Sequence, residues 1–165
     1  MLSPEDFDTL LSIARAGSDY AEIKRLLATT DWQIDEDDTD LGFLRIFVTY
    51  NSDKYYRLII GYRDPDRPPY SLLTFSLFPA SEEQLPAFNA AFHSTAEAIA
   101  QFLDAPNASG ERQPSHRTWS YAYCRWTLPE GEFTLVQDEF DIQEGMDVTL
   151  WVHPPGTPLK EVFQA

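Results

Sequence analysis

Apolar side chains recur along this chain at two periods, and each change of period marks a change of element. Ser3-Pro4-Glu5-Asp6 carries a capping side chain, a proline suited to the first helical position and two carboxylates for the positive end of the dipole. Phe7, Leu10, Leu11 and Ala14 follow at helical spacing, and Gly17 stops the helix. Ser18 or Asp19 caps a second helix with the stripe Tyr20, Ile23, Leu26 and Leu27. Trp32-Gln33-Ile34 reads as a short strand. The run Asp35-Glu36-Asp37-Asp38-Thr39-Asp40 is self-repelling and reads as an exposed loop.

The period then falls to two. Leu44, Ile46, Val48 and Tyr50 alternate with Phe43, Arg45, Phe47 and Thr49 in a strand from Leu41 to Tyr50. A polar turn at Asn51-Ser52-Asp53-Lys54 leads to a return strand, Tyr55 to Arg63. The proline-containing run 64–69 is a loop, and Tyr70 to Phe78 is a third strand. Short connections imply an antiparallel meander. Ser81 and Gln84 have capping-box spacing before a long helix striped by Leu85, Phe88, Phe92, Ala96, Ile99, Phe102 and Leu103. This helix is expected to lie across the sheet.

The stretch from Asp104 to Ser115 is small, polar and interrupted by Pro and Gly, the pattern of a flexible loop. Arg117 to Leu128 reads as a strand with Trp119, Tyr121 and Tyr123 on one face. Those aromatics fit either a covered core face or a partly exposed interface patch. Because the other face of that strand is also apolar, cover is expected on both, from the N-terminal helical pair and the long helix. Leu128-Pro129-Glu130-Gly131 fits a β-turn, and Glu132 to Gln137 returns. Asp138 to Gly145 reads as an acidic loop, Met146 to Val152 as a last strand, and Pro154, Pro155 and Pro158 as a non-helical tail. The expected fold is α+β. It has an N-terminal helical pair and an antiparallel sheet of about six strands in two groups, separated by one long helix packed on the sheet. One domain spans 1–165.

Charge narrows the partners. Twelve Lys+Arg face 27 Asp+Glu, a formal net charge of -15. Such a chain repels phosphate at long range, so neither nucleic acid nor an anionic membrane surface is an expected partner. The acidity serves solubility, or it forms a docking face for a basic protein. Aromatics at 14% provide for a packed core. The one cysteine, Cys124, permits no internal disulfide and suits a reducing cytosol. The N-terminal residues lack the basic and apolar regions of a signal peptide.

Candidate chemistry is sparse. His93, His116 and His153 have no metal-motif spacing and read as structural or solvated. Cys124 shares an alternation face with Ala122 and Trp126 and reads as a small hydrophobe. Phosphate-cradling glycine motifs do not occur. Counted from Asp35, an EF-hand loop would need Gly at Asp40 and Glu at Ile46, so that calcium pattern fails. No cofactor or metal is expected, and no catalytic residue stands out.

Phe102-Leu103-Asp104-Ala105-Pro106, then Gly110, Trp126, Phe133-Thr134-Leu135 and Val148-Thr149-Leu150-Trp151 set a helix, a loop and a terminal meander in order. In this plan the chain resembles the small acidic immunity proteins that bacteria keep beside secreted polymorphic toxins. The resemblance implies neutralisation of a toxin domain through an acidic face. The residues expected to carry docking are Asp35, Glu36, Asp37, Asp38 and Asp40 in one segment and Asp138, Glu139, Asp141 and Glu144 in the other. In size and acidity the chain also resembles cytosolic secretion chaperones. A small enzyme is the third reading.

Overall fold

Helix α1 spans Pro4–Ala16 in the computed structural model, which describes residues 2–51, 53–141 and 145–158, without the side chains of Phe140 and Asp141. Its start is a reciprocal capping box: the Asp6 N–H donates to Ser3 Oγ (3.2 Å), and the Ser3 N–H donates to the Asp6 carboxylate (2.8 Å). Gly17, at φ 60, ends it. Asp19 caps α2 (Tyr20–Leu27) by accepting from the Glu22 N–H at 3.1 Å. Two free helix donors are thus satisfied by side chains one turn away, as the sequence pattern requires.

The strands are β1 (Gln33–Asp38), β2 (Phe43–Asn51), β3 (Lys54–Gly61) and β4 (Tyr70–Phe78). A 3-10 turn at Glu82–Gln84 and the long helix α3 (Leu85–Leu103) come next. Ser81 makes no side-chain capping bond, so the expected capping box there does not form. The chain continues through β5 (Ala108–Arg112), β6 (Tyr121–Leu128), β7 (Gly131–Asp141) and β8 (Gly145–His153). All eight lie in one antiparallel sheet ordered β1-β2-β3-β4-β8-β7-β6-β5.

The class is α+β, but the expectation of about six strands in two groups is wrong. The two meanders are one sheet, zipped together where β4 pairs with β8 from Ser71↔Val152 to Phe78↔Met146. The added strands are β1, read from its acidity as mostly loop, and β5, read from its small residues as loop. Two boundaries also move. Residues 138–141 belong to β7 rather than to a loop, and β6 begins at Tyr121 rather than Arg117.

Alternation sorts the sheet into two faces. Leu44, Ile46 and Val48, Leu58 and Ile60, Leu73, Leu135, Leu150 and Val152 join Phe7, Leu10, Ile13, Ile23, Phe88, Phe92 and Ile99 in one buried core. All three helices therefore lie on the same face, not one group on each. Phe7 meets Phe133 edge-on at 5.9 Å, and Phe88 meets Tyr121 edge-on at 5.9 Å. Each fully buried Leu, Ile or Phe contributes roughly 1.5–3 kcal/mol of transfer free energy.

Among the described residues, the opposite face carries no helix. Its rows follow the strand register. One reads Arg45, Ile59, Leu72, Trp151, Thr134, Arg125 and Ala108, and the next reads Phe47, Arg57, Thr74, Thr149, Val136, Tyr123 and Gly110. Gly61 lets the Tyr70 ring lie on the backbone, because a Cβ there would sit 2.5 Å from the ring. The aromatics expected on one strand face separate. Trp119 precedes β6, Tyr121 turns to α3, and Tyr123 joins Leu72, Val136 and Trp151.

Candidate functional site: an acidic sheet edge beside an open groove

The first acidic segment is an edge strand. Among the described residues, β1 has β2 on one side and no strand on the other. Its carboxylates tolerate the strand because neighbours supply cations on both faces. Arg45 on β2 binds Asp35 through Nε (2.6 Å) and Glu36 through Nη2 (2.9 Å). An irregularity between Ile34 and Glu36 lets both acids reach that one guanidinium. Towards the helices, Asp37 accepts from Tyr20 Oη (2.6 Å) and Lys24 Nζ (3.0 Å). The Tyr20 hydroxyl, with help from Lys24, holds the Asp37 carboxyl below its ordinary range.

Asp38 closes the strand. Its Oδ1 accepts from the Asp40 N–H (3.0 Å) and the Leu41 N–H (2.8 Å), making an Asx-type turn. Asp40 is exposed in that turn, where its carbonyl and that of Thr39 accept from Arg63 Nη2. The structure thus brings Asp35, Glu36, Asp37, Asp38 and Asp40 to one sheet edge.

A groove of about 480 Å³ opens beside this edge on the helix-free face. Asp35, Arg45, Phe47, Tyr55, Arg57 and Leu77 form most of its wall. Phe47 and Tyr55 lie with ring centroids 4.3 Å apart. Tyr55 is 56% exposed, Leu77 52% and Ile34 39%, so apolar surface accompanies the acids at this corner. Sequence reasoning did not single out this groove. The alternation of Phe43, Arg45, Phe47 and Thr49 was its signal, since a half-polar strand face is the pattern of a face without a helix.

The second acidic segment is a different structure. Asp138 is 1% exposed and Glu139 3%, so neither belongs to the exposed loop expected there. Asp138 accepts from Arg112 Nη2 at 3.1 Å. Glu139 accepts from Tyr121 Oη (2.5 Å) and Arg117 Nε (2.5 Å) and contacts His116 Nε2 at 2.6 Å. Burial pushes the Glu139 carboxyl up, but the Tyr121, His116 and Arg117 hydrogen bonds outweigh it and hold it below its ordinary range. Burial and the bond to Glu139 push the Tyr121 hydroxyl up. These carboxylates fasten the 113–120 loop to the sheet. Asp141 lies opposite Gly145 at the end of β7 with its side chain outside the description, and Glu144 lies outside the described residues.

A further polar group sits on the helix-free face of the second meander. Arg125 Nε donates to Thr134 Oγ1 (2.9 Å), and Arg125 Nη1 donates to the Thr157 carbonyl (3.0 Å). Glu132 Oε2 lies 3.6 Å from both Arg125 Nη1 and His153 Nδ1. Burial lowers the His153 pKa from its ordinary value of 6.5. This cluster anchors the 154–157 segment to the sheet.

Nucleophilic chemistry has no support at Cys124, whose thiol is pushed up by burial. His93 is exposed on α3. Among the described residues, no three His, Cys, Asp or Glu side chains converge as metal ligands, and no helix is long and apolar enough to cross a membrane. Compared with protein-family models, curated proteins and solved structures, the chain has no significant match.

Proposed function

We propose that this protein is a non-enzymatic binding module for a basic protein, and that it docks through the corner formed by β1 and the adjoining groove. A toxin domain neutralised by this contact is the partner class implied by the immunity-protein resemblance. The observation that carries the reading is the coincidence, at one corner, of an acid-rich sheet edge with exposed Ile34, Tyr55 and Leu77. β1 holds four carboxylates in six residues against the two cations Arg45 and Lys24, leaving the edge net negative. Charges at a rim steer encounter, and the apolar side chains supply the contact that excludes water.

The burial of Asp138 and Glu139 removes them from this surface. Reversing them would unfold their cluster rather than probe docking.

The test starts from the partner captured at low salt, identified and purified. The double variant Glu36→Lys/Asp40→Lys is expected to slow association by roughly tenfold and to flatten its salt dependence. Association that is unchanged by the double variant and insensitive to salt overturns the proposal.

A further inference from the structure

We infer that the basic partner docks by adding a strand to the outer edge of β1, an extended segment in which Lys or Arg alternates with apolar residues. This inference rests on the proposed reading of the protein as a binder of a basic protein, and it specifies how that binding occurs.

A sheet of eight strands has two ends, and β1 is one of them. The backbone of residues 33–37 pairs with β2 and makes no other backbone hydrogen bond among the described residues. Such an edge is a template for another strand, and main-chain hydrogen bonds give that mode of recognition its affinity. The side chains determine which strand is accepted. Glu36 and Asp38 lie on the helix-free face, and Asp37 lies on the helix face. A second copy of β1 would place carboxylate against carboxylate on both faces, which is destabilising. The edge is therefore closed to its own kind. Asp37 is already bound by Tyr20 and Lys24, so the edge is complementary to a strand whose cations face Glu36 and Asp38 and whose apolar residues lie on the helix face.

The surroundings match the other half of that pattern. Ile34 is exposed on the helix face of β1, and the groove lined by Phe47, Tyr55 and Leu77 opens beside Asp35 on the other face. Apolar residues between the cations meet Ile34 on the helix face, and the groove takes the aliphatic stems of the cationic side chains. The far end of the sheet lacks this combination. β5, Ala108–Arg112, offers one acid, Glu111, and one base, Arg112, whose guanidinium is bound to Asp138. Selectivity for β1 over β5 is thus a direct consequence of the inference.

The test uses two synthetic heptapeptides, one of alternating lysine and valine and one of alternating glutamate and valine, with amide hydrogen exchange read on the full chain. The lysine peptide is expected to slow exchange several-fold within 33–38, to leave 108–112 unchanged, and to lose its effect in high salt. The glutamate peptide is expected to slow nothing. Equal protection by both peptides, protection at β5 in place of β1, or no protection at millimolar lysine peptide overturns strand addition. Such a failure alongside intact, salt-sensitive binding of the basic partner leaves the binding reading standing and places docking on the groove alone. The reverse pair of results, β1 protection by the peptide without any basic protein partner, sinks the functional reading and keeps the edge preference.

Discussion

The two meanders share a sheet and a helix-covered face, yet their opposite faces differ. On β7 and β8 that face is closed: Glu132, Thr134, Val136, Thr149, Trp151 and His153 are all buried, with no helix of the described residues above them. Tyr70 packs on Trp151 at 5.1 Å, Arg67 lies 5.5 Å above it, and Arg125 reaches Thr157. On β2 and β3 the same face stays partly open, with Arg45, Phe47, Tyr55 and Arg57 at least partly exposed beside the groove. The difference teaches where recognition has room. In the C-terminal meander Arg125, Glu132, Thr134 and His153 lie against one another, whereas the polar groups near β1 line a surface.

The comparison breaks most readily at the aromatics. Trp151→Ala is expected to cost about 3–5 kcal/mol in urea denaturation, the range for a large buried side chain. Tyr55→Ala, on the same face of the other meander, is expected to cost about 1 kcal/mol or less, because its ring is half out of the protein. Equal losses at the two sites would contradict the contrast between a closed and an open half.

Glu139→Ala comes next, at about 3 kcal/mol, since it leaves Arg117 and Tyr121 without their buried carboxylate. Calorimetry at neutral pH checks it. An effect near zero would mean that the acids of β7 are surface groups after all.

A pH scan sharpens the same point with a smaller effect. His153 has a folded pKa below its ordinary 6.5, so the unfolded chain binds its proton more readily. Its contribution is present above about pH 6.5 and is lost as the pH falls below that value. The Glu139 pKa is lowered from 4.5, so its contribution is lost only at more acid pH. Between those windows the loss of stability is expected to shrink in His153→Gln. An identical acid limb in wild type and variant would show that His153 is not held neutral by burial.

The smallest effect belongs to the edge. Arg45→Gln removes the partner of Asp35 and Glu36 and is expected to cost under about 1 kcal/mol, since that pair is exposed. A loss of several kcal/mol would make the β1 acids structural in the way Glu139 is.

What the sequence disclosed follows the same division. β2, β3, β4 and the core of β6 to β8 were legible because burial on one face imposes alternation, as in Leu44, Ile46 and Val48. β1 was not, because its stabilising cations come from Lys24 and Arg45, which lie elsewhere in the chain. β5 was not, because an edge strand of Ala, Ser and Gly buries too little to leave a pattern, while Tyr123 lies against Gly110. The site divides likewise. Asp35 to Asp40 lie along one edge because they are neighbours in sequence. Asp138 and Glu139 looked like surface because acidity reads as exposure until a partner is known. Three of their partners, Arg112, His116 and Arg117, were in view as a cluster of bases in an acidic chain, which was the missed signal.

The most direct test of the open corner is amide hydrogen exchange across the whole chain, free and bound to the basic partner captured at low salt. Binding is predicted to slow exchange in residues 33–51 and to leave 121–139 as they were. Protection confined to the C-terminal meander, with β1 and β2 unchanged, would contradict the account.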